Sequence, residues 1–317
     1  MESLRLSFEA IAPIFILMLL GYVFKCLRVA DKKGFDLINK LVFKAFLPVL
    51  LFYNIYKTET ASGVFDPRLI IFTIIGILFV FVAGYFSVFF LSKENRKRGV
   101  MLQGFFRANY AILGIPLVSY ICGEEARGLA SLMVAVIVPM FNILAVIALE
   151  RFREGSNKLN FPELIKGVIK NPLIIGCAIG LLFFALDLKL PYVIEKSVSD
   201  ISSIATPLAI IALGAGFEFS GIRGYAREIA IVVIARLVII PLIILSVAIM
   251  IGFTGEAIAC LLITFGGPIA VSSFSMSQQM GGDEKLSAQV IVISSALCLF
   301  TLFLWIFALS SLGLFNI

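Results

Sequence analysis

The chain has 317 residues, of which 61% are hydrophobic and 15% are charged, and its mean hydropathy is +1.07. Soluble domains carry about 25% charged residues, and a soluble core of this length could not bury so much apolar surface. The formal net charge of +6 does not indicate nucleic-acid binding, because the basic residues lie in loops between apolar runs. Histidine is absent, which excludes a histidine-based proton relay, and the five scattered cysteines predict no metal site or other cofactor.

Ten apolar segments are long enough to cross a bilayer, which takes about 20 residues. The loops between them are short and leave no room for a soluble domain. The predicted fold is therefore an all-α polytopic membrane protein with ten transmembrane helices, called spans 1 to 10. In chain order the spans cover residues 8–25, 37–56, 68–91, 100–121, 128–149, 168–186, 196–217, 228–251, 255–279 and 286–312.

Lysine and arginine fall mainly in the loops that follow odd-numbered spans. Cytoplasmic loops carry such an excess of basic residues. We therefore expect these loops to lie in the cytoplasm and both termini to lie on the outer side. The expected location is the plasma membrane, which is the inner membrane of a bacterial cell.

The two halves of the chain have similar interruptions. An offset of 159 residues relates Pro48 in span 2 to Pro207 in span 7, and an offset of 152 relates Pro116 in span 4 to Pro268 in span 9. Five spans per repeat is an odd number, so the second repeat must be inserted upside down, as in the inverted repeats of secondary transporters. The two predicted repeats cover residues 1–155 and 156–317.

Paired glycine and proline interruptions predict a binding site near the membrane midplane. Unwound backbone is tolerated in a membrane only where it faces protein or a wet cavity. If spans 4 and 9 break and cross there, two half-helix N-termini meet, and their partial positive charge favours an anion. The candidate binding residues are Asn109, Gly114, Pro116, Gly267 and Pro268, with Arg107, Asn142, Ser272, Ser273 and Ser275 nearby.

Each of these features also has a structural interpretation. A Gly-Pro pair can kink a packed helix, and Arg107 could bind helix carbonyls instead of a ligand. The polar side chains after the span 9 break, in PIAVSSFSMSQQMGGDE, could form a solvated path or could hold neighbouring helices together. For Arg236 in span 8, the structural role is favoured.

Five stretches in the same order carry a family resemblance. They are INKLVFKAFLPVLLF (38–52), FRANYAILGIPLV (106–118), IKNPLIIGCAIGLLF (169–183), ATPLAIIALGAGF (205–217) and FGGPIAVSSFSMSQQMGGDEKLSAQVIVIS (265–294). They resemble the auxin efflux carrier family, the bacterial relatives of the plant PIN-FORMED transporters, along essentially the whole chain. The sequence departs from the family pattern at Ala108, where the signature has serine, and at 277–280, where members often carry charged residues.

The resemblance implies a scaffold domain of spans 1, 2, 6 and 7, and a transport domain of spans 3–5 and 8–10 that moves against it like an elevator. It implies that a substrate carboxylate binds where spans 4 and 9 cross. Asn109 matches the asparagine that contacts substrate, and Pro116 and Pro268 match the crossover prolines. The expected partners are a small organic anion such as malate or malonate, the lipid bilayer, and a second copy joined through the scaffold domain.

Several alternatives stay open. A sodium-coupled organic-anion symporter of the bile-acid type resembles this architecture, although few intramembrane carboxylates are visible. An intramembrane enzyme is disfavoured because no span carries paired aspartates, a GxSxG motif or a metal-ligand cluster. A channel would call for a pore lined by an oligomer, whereas this chain repeats itself within one protomer.

Overall fold

The computed structural model describes residues 2–58, 66–153 and 161–315, which fold almost entirely into helices. In chain order the α-helices are α1 Glu2–Cys26, α2 Lys32–Leu41, α3 Leu47–Tyr56, α4 Pro67–Leu91, α5 Asn95–Phe106, α6 Tyr110–Cys122, α7 Arg127–Arg151, α8 Phe161–Ile169, α9 Pro172–Ala185, α10 Tyr192–Gly216, α11 Phe219–Gly224, α12 Ala226–Ile234, α13 Ile240–Ile251, α14 Gly255–Gly266, α15 Ser272–Gln279 and α16 Glu284–Ser311. Two π-helical segments, Val42–Phe46 and Ala235–Ile239, join α2 to α3 and α12 to α13.

Polar N-cap side chains fix where several helices begin. Asp31 accepts a hydrogen bond from the backbone of Gly34 at 2.8 Å, so α2 begins at the next residue. Asn171 accepts one from Leu173 at 2.9 Å, just before α9. Such caps satisfy backbone N–H groups that have no partner inside the helix. The apolar spans are therefore bounded by local polar chemistry as well as by their hydrophobicity.

The multi-pass membrane character predicted from composition is supported by helix length and hydropathy. Among the described residues, five helical segments are long and apolar enough to cross a bilayer, namely Pro67–Leu91, Glu124–Arg151, Tyr192–Gly216, Ala226–Ile251 and Glu284–Ser311. Shorter apolar helices coincide with other predicted spans, namely Ala12–Cys26, Tyr110–Cys122, Pro172–Ala185 and Gly255–Gly266. Predicted spans 4 and 9 are each divided into two helices, α5 and α6 for the first and α14 and α15 for the second.

Helix α4 shows how these helices meet lipid. One face exposes large apolar side chains at a helical spacing, including Ile71, Ile75 and Phe86, whereas the opposite face is buried. An apolar stripe of this length is unusual on a water-soluble surface. It is suited to the hydrocarbon of a bilayer, where the helical backbone satisfies its own hydrogen bonds.

Helices α1 and α10 approach each other through glycines. A Cβ atom added to Gly21 would overlap the carbonyl oxygen of Ile211, and one added to Gly214 would overlap that of Met18. Each overlap is with backbone, which cannot rotate away. Small residues allow membrane helices to pack at such short distances, so these two glycines hold α1 against α10.

Helices α3 and α9 form a second close pair. A Cβ atom at Gly176 would overlap the carbonyl oxygen of Pro48, and one at Gly180 would lie 3.0 Å from that of Phe52. Gly180 follows Gly21 by 159 residues, and Ile211 follows Phe52 by the same number. The contact between α9 and α3 therefore repeats the contact between α1 and α10 at the offset that relates Pro48 to Pro207.

Candidate functional site

The breaks in spans 4 and 9 lie against each other and pair through their backbones. We call residues 107–109 and 267–271 the crossing. The N–H of Asn109 donates to the carbonyl of Pro268 at 2.9 Å, and the N–H of Ala270 donates to the carbonyl of Arg107 at 3.3 Å. These two bonds make an antiparallel bridge between Ala108 and Ile269. Because each break satisfies the other, unwound backbone can exist here inside a membrane.

The predicted position of the span 4 break is wrong. Gly114 and Pro116 both lie inside helix α6, and the break comes before that helix, at residues 107–109. A Cβ atom at Gly114 would lie 2.6 Å from the ring of Tyr110, so this glycine makes room for an aromatic side chain. Pro116 also lies inside α6, where it removes one helical hydrogen bond without ending the helix.

The C-terminal ends of both broken helices are bound by Arg236. Its guanidinium donates to the carbonyls of Gly267 at 2.9 Å and Thr264 at 2.7 Å, near the end of α14. It also donates to the carbonyls of Phe105 and Phe106, at 3.2 and 3.3 Å, at the end of α5. The side chain is fully buried. Arg236 therefore has the structural role that was favoured, because it satisfies carbonyls that a helix end leaves unpaired.

The N-terminal ends of α6 and α15 also meet at the crossing. Neither helix has a hydrogen bond from an N-cap side chain, so the amide of Asn109 is not used for capping. Helix N-termini carry a partial positive charge and free N–H groups. Both therefore contribute partial positive charge at the crossing, where Arg236 binds the carbonyls of the C-terminal ends of α5 and α14.

Arg107 lies at the crossing and is 3% exposed. Its guanidinium donates to Asn142 Oδ1 at 2.8 Å, Ser272 Oγ at 2.9 Å and Gln103 Oε1 at 3.1 Å, and it also contacts Met276 Sδ. All four partners are neutral. In the described part of the chain no carboxylate pairs with this guanidinium, so its positive charge is hydrogen-bonded but not neutralised.

A cavity lies beside the crossing, between α3 and α10 on one side and the broken helices on the other. It has about 50 Å³ of space for the centres of water molecules, enough for roughly three to five waters at 10–15 Å³ each. We call it the crossing cavity. Its polar lining comes from Arg107, Asn109, Asn142, Thr206 and Ser272, and its apolar lining includes Leu47, Leu50, Leu51, Val138 and Phe141.

The structure brings four of the predicted residues together at this cavity, namely Arg107, Asn109, Asn142 and Ser272. The other candidates lie elsewhere. Gly267 and Pro268 contribute carbonyls to the crossing, and Ser273 and Ser275 are buried in α15 without lining the cavity. The hydroxyl of Ser275 donates to Asn39 Oδ1, whereas that of Ser273 has no partner within the described residues.

Sequence reasoning missed Gln103, Thr206 and the leucines of α3. Gln103 is a polar residue one turn before Arg107, a spacing that places both on the same helix face, and this signal could have identified it. The leucines could not be recognised as cavity residues from the sequence, because apolar residues line both the cavity and the lipid-facing surfaces.

Comparisons with known proteins agree on the class of protein. Residues 6–306 match the family described as membrane transport protein. An uncharacterized transporter of Methanocaldococcus jannaschii is 25% identical over 312 residues, covering 94% of this chain and 97% of the relative. The uncharacterized transporter YfdV of Escherichia coli is 22% identical over 93% of this chain and 95% of its own. A Rhizobium meliloti protein whose name proposes malonate transport is 24% identical, over 92% of each chain.

Proposed function

Because this chain belongs to the membrane transport protein family, the auxin efflux carrier family that its motifs resemble, we propose that it carries small organic anions across the plasma membrane. Alternating access of the crossing cavity to the two sides would move the anion. The family and the names of its relatives indicate a transporter and not an enzyme. Efflux is the proposed direction, since export of an anion from a negative interior is favoured by about 2.3 kcal/mol per charge for each 100 mV.

The observation that carries this proposal is the buried guanidinium of Arg107, held by neutral partners at the wall of a cavity. A cation inside a membrane is costly and is found paired, at an aqueous cavity or on a substrate pathway. An anion in the crossing cavity would supply the missing negative charge. The N-termini of α6 and α15 favour the same sign of ligand.

The lining of the cavity suggests how such an anion is oriented. A carboxylate would contact Arg107, Asn109 and Ser272, while a short carbon chain would lie against Leu47 and Phe141. The small volume favours mono- and dicarboxylates of a few carbon atoms. The relative whose name proposes malonate transport agrees with this substrate class.

We propose that the chain spans the membrane ten times and that the ten spans form two inverted repeats, residues 1–155 and 156–317. The repeated contacts between helix pairs at an offset of 159 residues support this arrangement. The same offset relates Asn109 to Pro268, which lie opposite each other at the crossing. Asn109, and not Pro116, is then the counterpart of Pro268 in the other repeat. This explains why the offset of 152 between Pro116 and Pro268 differs from the offset of 159 between Pro48 and Pro207.

The walls of the crossing cavity support an elevator mechanism. Leu47 and Thr206 belong to spans 2 and 7 of the proposed scaffold domain, whereas Arg107 and Ser272 belong to spans 4 and 9 of the proposed transport domain. A ligand in the cavity would therefore lie between the two bodies. Movement of one body against the other would change which side of the membrane the ligand can reach. We also propose that a second copy of the protein binds through the scaffold domain.

The proposal is tested by equilibrium binding to the purified protein, with malonate and its uncharged diamide as the ligand pair. We expect malonate to raise the melting temperature and the diamide to leave it unchanged, since a ligand stabilises the state that it binds. Arg107→Gln should weaken malonate binding about 10- to 100-fold, which corresponds to the roughly 1.5–3 kcal/mol of a hydrogen bond to a charged group.

Arg151→Gln is the matched control, because Arg151 donates to Tyr85 far from the cavity lining. It should bind malonate as tightly as the parent does. Arg107→Lys keeps the charge and should retain more affinity than Arg107→Gln. Equal binding of malonate and its diamide, or full affinity in a folded Arg107→Gln variant, would rule out the anion site.

A further inference from the structure

A second cavity opens at one end of the helix bundle, between α1, α2 and α10 on one side and α15 and α16 on the other. It has about 150 Å³ of space for the centres of water molecules, and we call it the vestibule. Its wall carries several polar and charged side chains, those of Lys32, Asp36, Asn39, Gln278 and Glu284, beside apolar ones such as Phe35 and Phe274. It lies on the face that carries the basic loops, which we propose to be cytoplasmic.

Helix α15 connects the vestibule to the crossing cavity. Ser272 lines the cavity, Ser275 follows three residues later, and Gln278, after a further three, lines the vestibule. Residues spaced by three are neighbours on a helix surface, so the three side chains form a polar stripe that winds around α15, with Ser275 between Ser272 and Gln278. At 1.5 Å per residue the two ends of the stripe are about 9 Å apart along the helix.

Asn39 packs against the part of α15 that lies between the two cavities. It is fully buried in α2 and faces the middle of the polar stripe. The hydroxyl of Ser275 donates to Asn39 Oδ1, and the amide of Asn39 donates to Gln278 Oε1. Gln278 in turn donates to one oxygen of Asp36 and one of Glu284, each at 2.9 Å.

We propose that the vestibule and the crossing cavity are two ends of one path, and that Asn39, Ser275 and Gln278 form its closed gate. This inference rests on the proposed function, because it supplies the route by which a solute reaches the site. The gate joins the proposed scaffold, through α2, to the proposed transport domain, through α15. Relative movement of the two bodies would separate its members.

The chemistry of the gate suits opening. Its bonds join side chains only, so water or a carboxylate oxygen can replace them without leaving a backbone group unpaired. The amide of Asn39 and the hydroxyl of Ser275 are donors, which can bind an anion in passing. The π-helical segment Val42–Phe46 follows Asn39 by one turn, and such segments are frequent at functional sites in helices.

Cysteine accessibility tests the gate without any assumption about the substrate. Four native cysteines are replaced by alanine, and the buried Cys298 is kept to report unfolding. Thr206→Cys reports on the crossing cavity, and Ala30→Cys reports on the vestibule. The anionic reagent 2-sulfonatoethyl methanethiosulfonate is applied to each face of sealed vesicles in turn, and Ala30→Cys identifies the vestibule face.

We expect Asn39→Ala to accelerate modification of Thr206→Cys from the vestibule face at least tenfold, with no change at Ala30→Cys. Ser275→Ala should also accelerate modification of Thr206→Cys. If Asn39→Ala exposes Cys298 and is therefore unfolded, Ser275→Ala is used as the gate variant instead. Ser202→Ala is the control, because Ser202 is a buried serine that donates only to Ser199 within α10. Unchanged rates at Thr206→Cys in both gate variants would show that the cluster only packs helices together.

The outcome is separate from that of the binding experiment. If no organic acid binds but the gate variants open the cavity, the path stands and the substrate class is wrong. If malonate binds at Arg107 but the gate variants change nothing, the site stands and the solute reaches it by another route.

Discussion

Arg236→Met is expected to prevent the chain from reaching a stable fold. The substitution removes the donors of four buried carbonyls, contributed by the ends of both α5 and α14. A buried polar group left without a partner costs about 1–3 kcal/mol, so four of them cost about 4–12 kcal/mol. That range is comparable to the 5–15 kcal/mol by which whole domains are stabilised.

The measurement is the fraction of monodisperse protein recovered in detergent, followed by thermal melting of what remains. Arg107→Met is the matched control, since Arg107 is also a buried arginine at the crossing but donates only to side chains. We expect the control to fold and Arg236→Met to aggregate. Arg236→Lys should lie between them, because an ammonium group carries fewer donors than a guanidinium. A melting temperature for Arg236→Met within a few degrees of the parent would contradict the structural role of Arg236.

Gly21→Ala is expected to have the next largest effect, a loss of about 3 kcal/mol or more in the free energy of unfolding. The new methyl group would overlap the carbonyl oxygen of Ile211, so α1 must move away from α10. Overpacking typically costs about 1–3 kcal/mol, occasionally more, and here the obstacle is backbone, which has no alternative rotamer. Gly224→Ala is the control, because an added Cβ there has no neighbour within 4 Å.

A double-mutant cycle sharpens this experiment. Gly214→Ala places its methyl group against Met18 across the same pair of helices. Once one methyl group has separated α1 from α10, the second should cost much less than it does alone. Substitutions of residues that share one contact change the free energy of unfolding by amounts that do not add. Additive losses, or a Gly21→Ala variant as stable as Gly224→Ala, would show that the helices are not held at this distance by the glycines.

The helical membrane fold could be predicted from the sequence because a bilayer requires helices of about 20 apolar residues. Apolar runs of that length can be read directly from the sequence. The position of the span 4 break could not. Gly114 and Pro116 are the visible helix breakers, yet the backbone unwinds earlier, where Pro268 and Arg236 supply partners for it. A break is therefore determined by which backbone groups find tertiary partners, and these come from residues more than 100 positions away in the chain.

The candidate site was predictable where a polar residue stands within an apolar span, as Arg107, Asn109 and Asn142 do. Asn39 was not singled out, because it lies in a stretch with lysines near the start of span 2 and resembles an interfacial residue. Its complete burial arises from tertiary packing, in which the hydroxyl of Ser275 on α15 donates to its side chain. The apolar cavity wall also escaped prediction, since leucine at a binding site and leucine facing lipid have the same pattern.

The backbone bridge at the crossing has a consequence for biosynthesis. The amide of Asn109 is paired with the carbonyl of Pro268, which is synthesised 159 residues later. At about 5–20 residues per second, the ribosome needs roughly 8–30 s to make the partner. During that interval the break in span 4 lacks its bonding partner and cannot be stable against hydrocarbon. Until span 9 arrives, residues 107–109 must satisfy their backbone groups in another way, as continuous helix or against water or the insertion machinery.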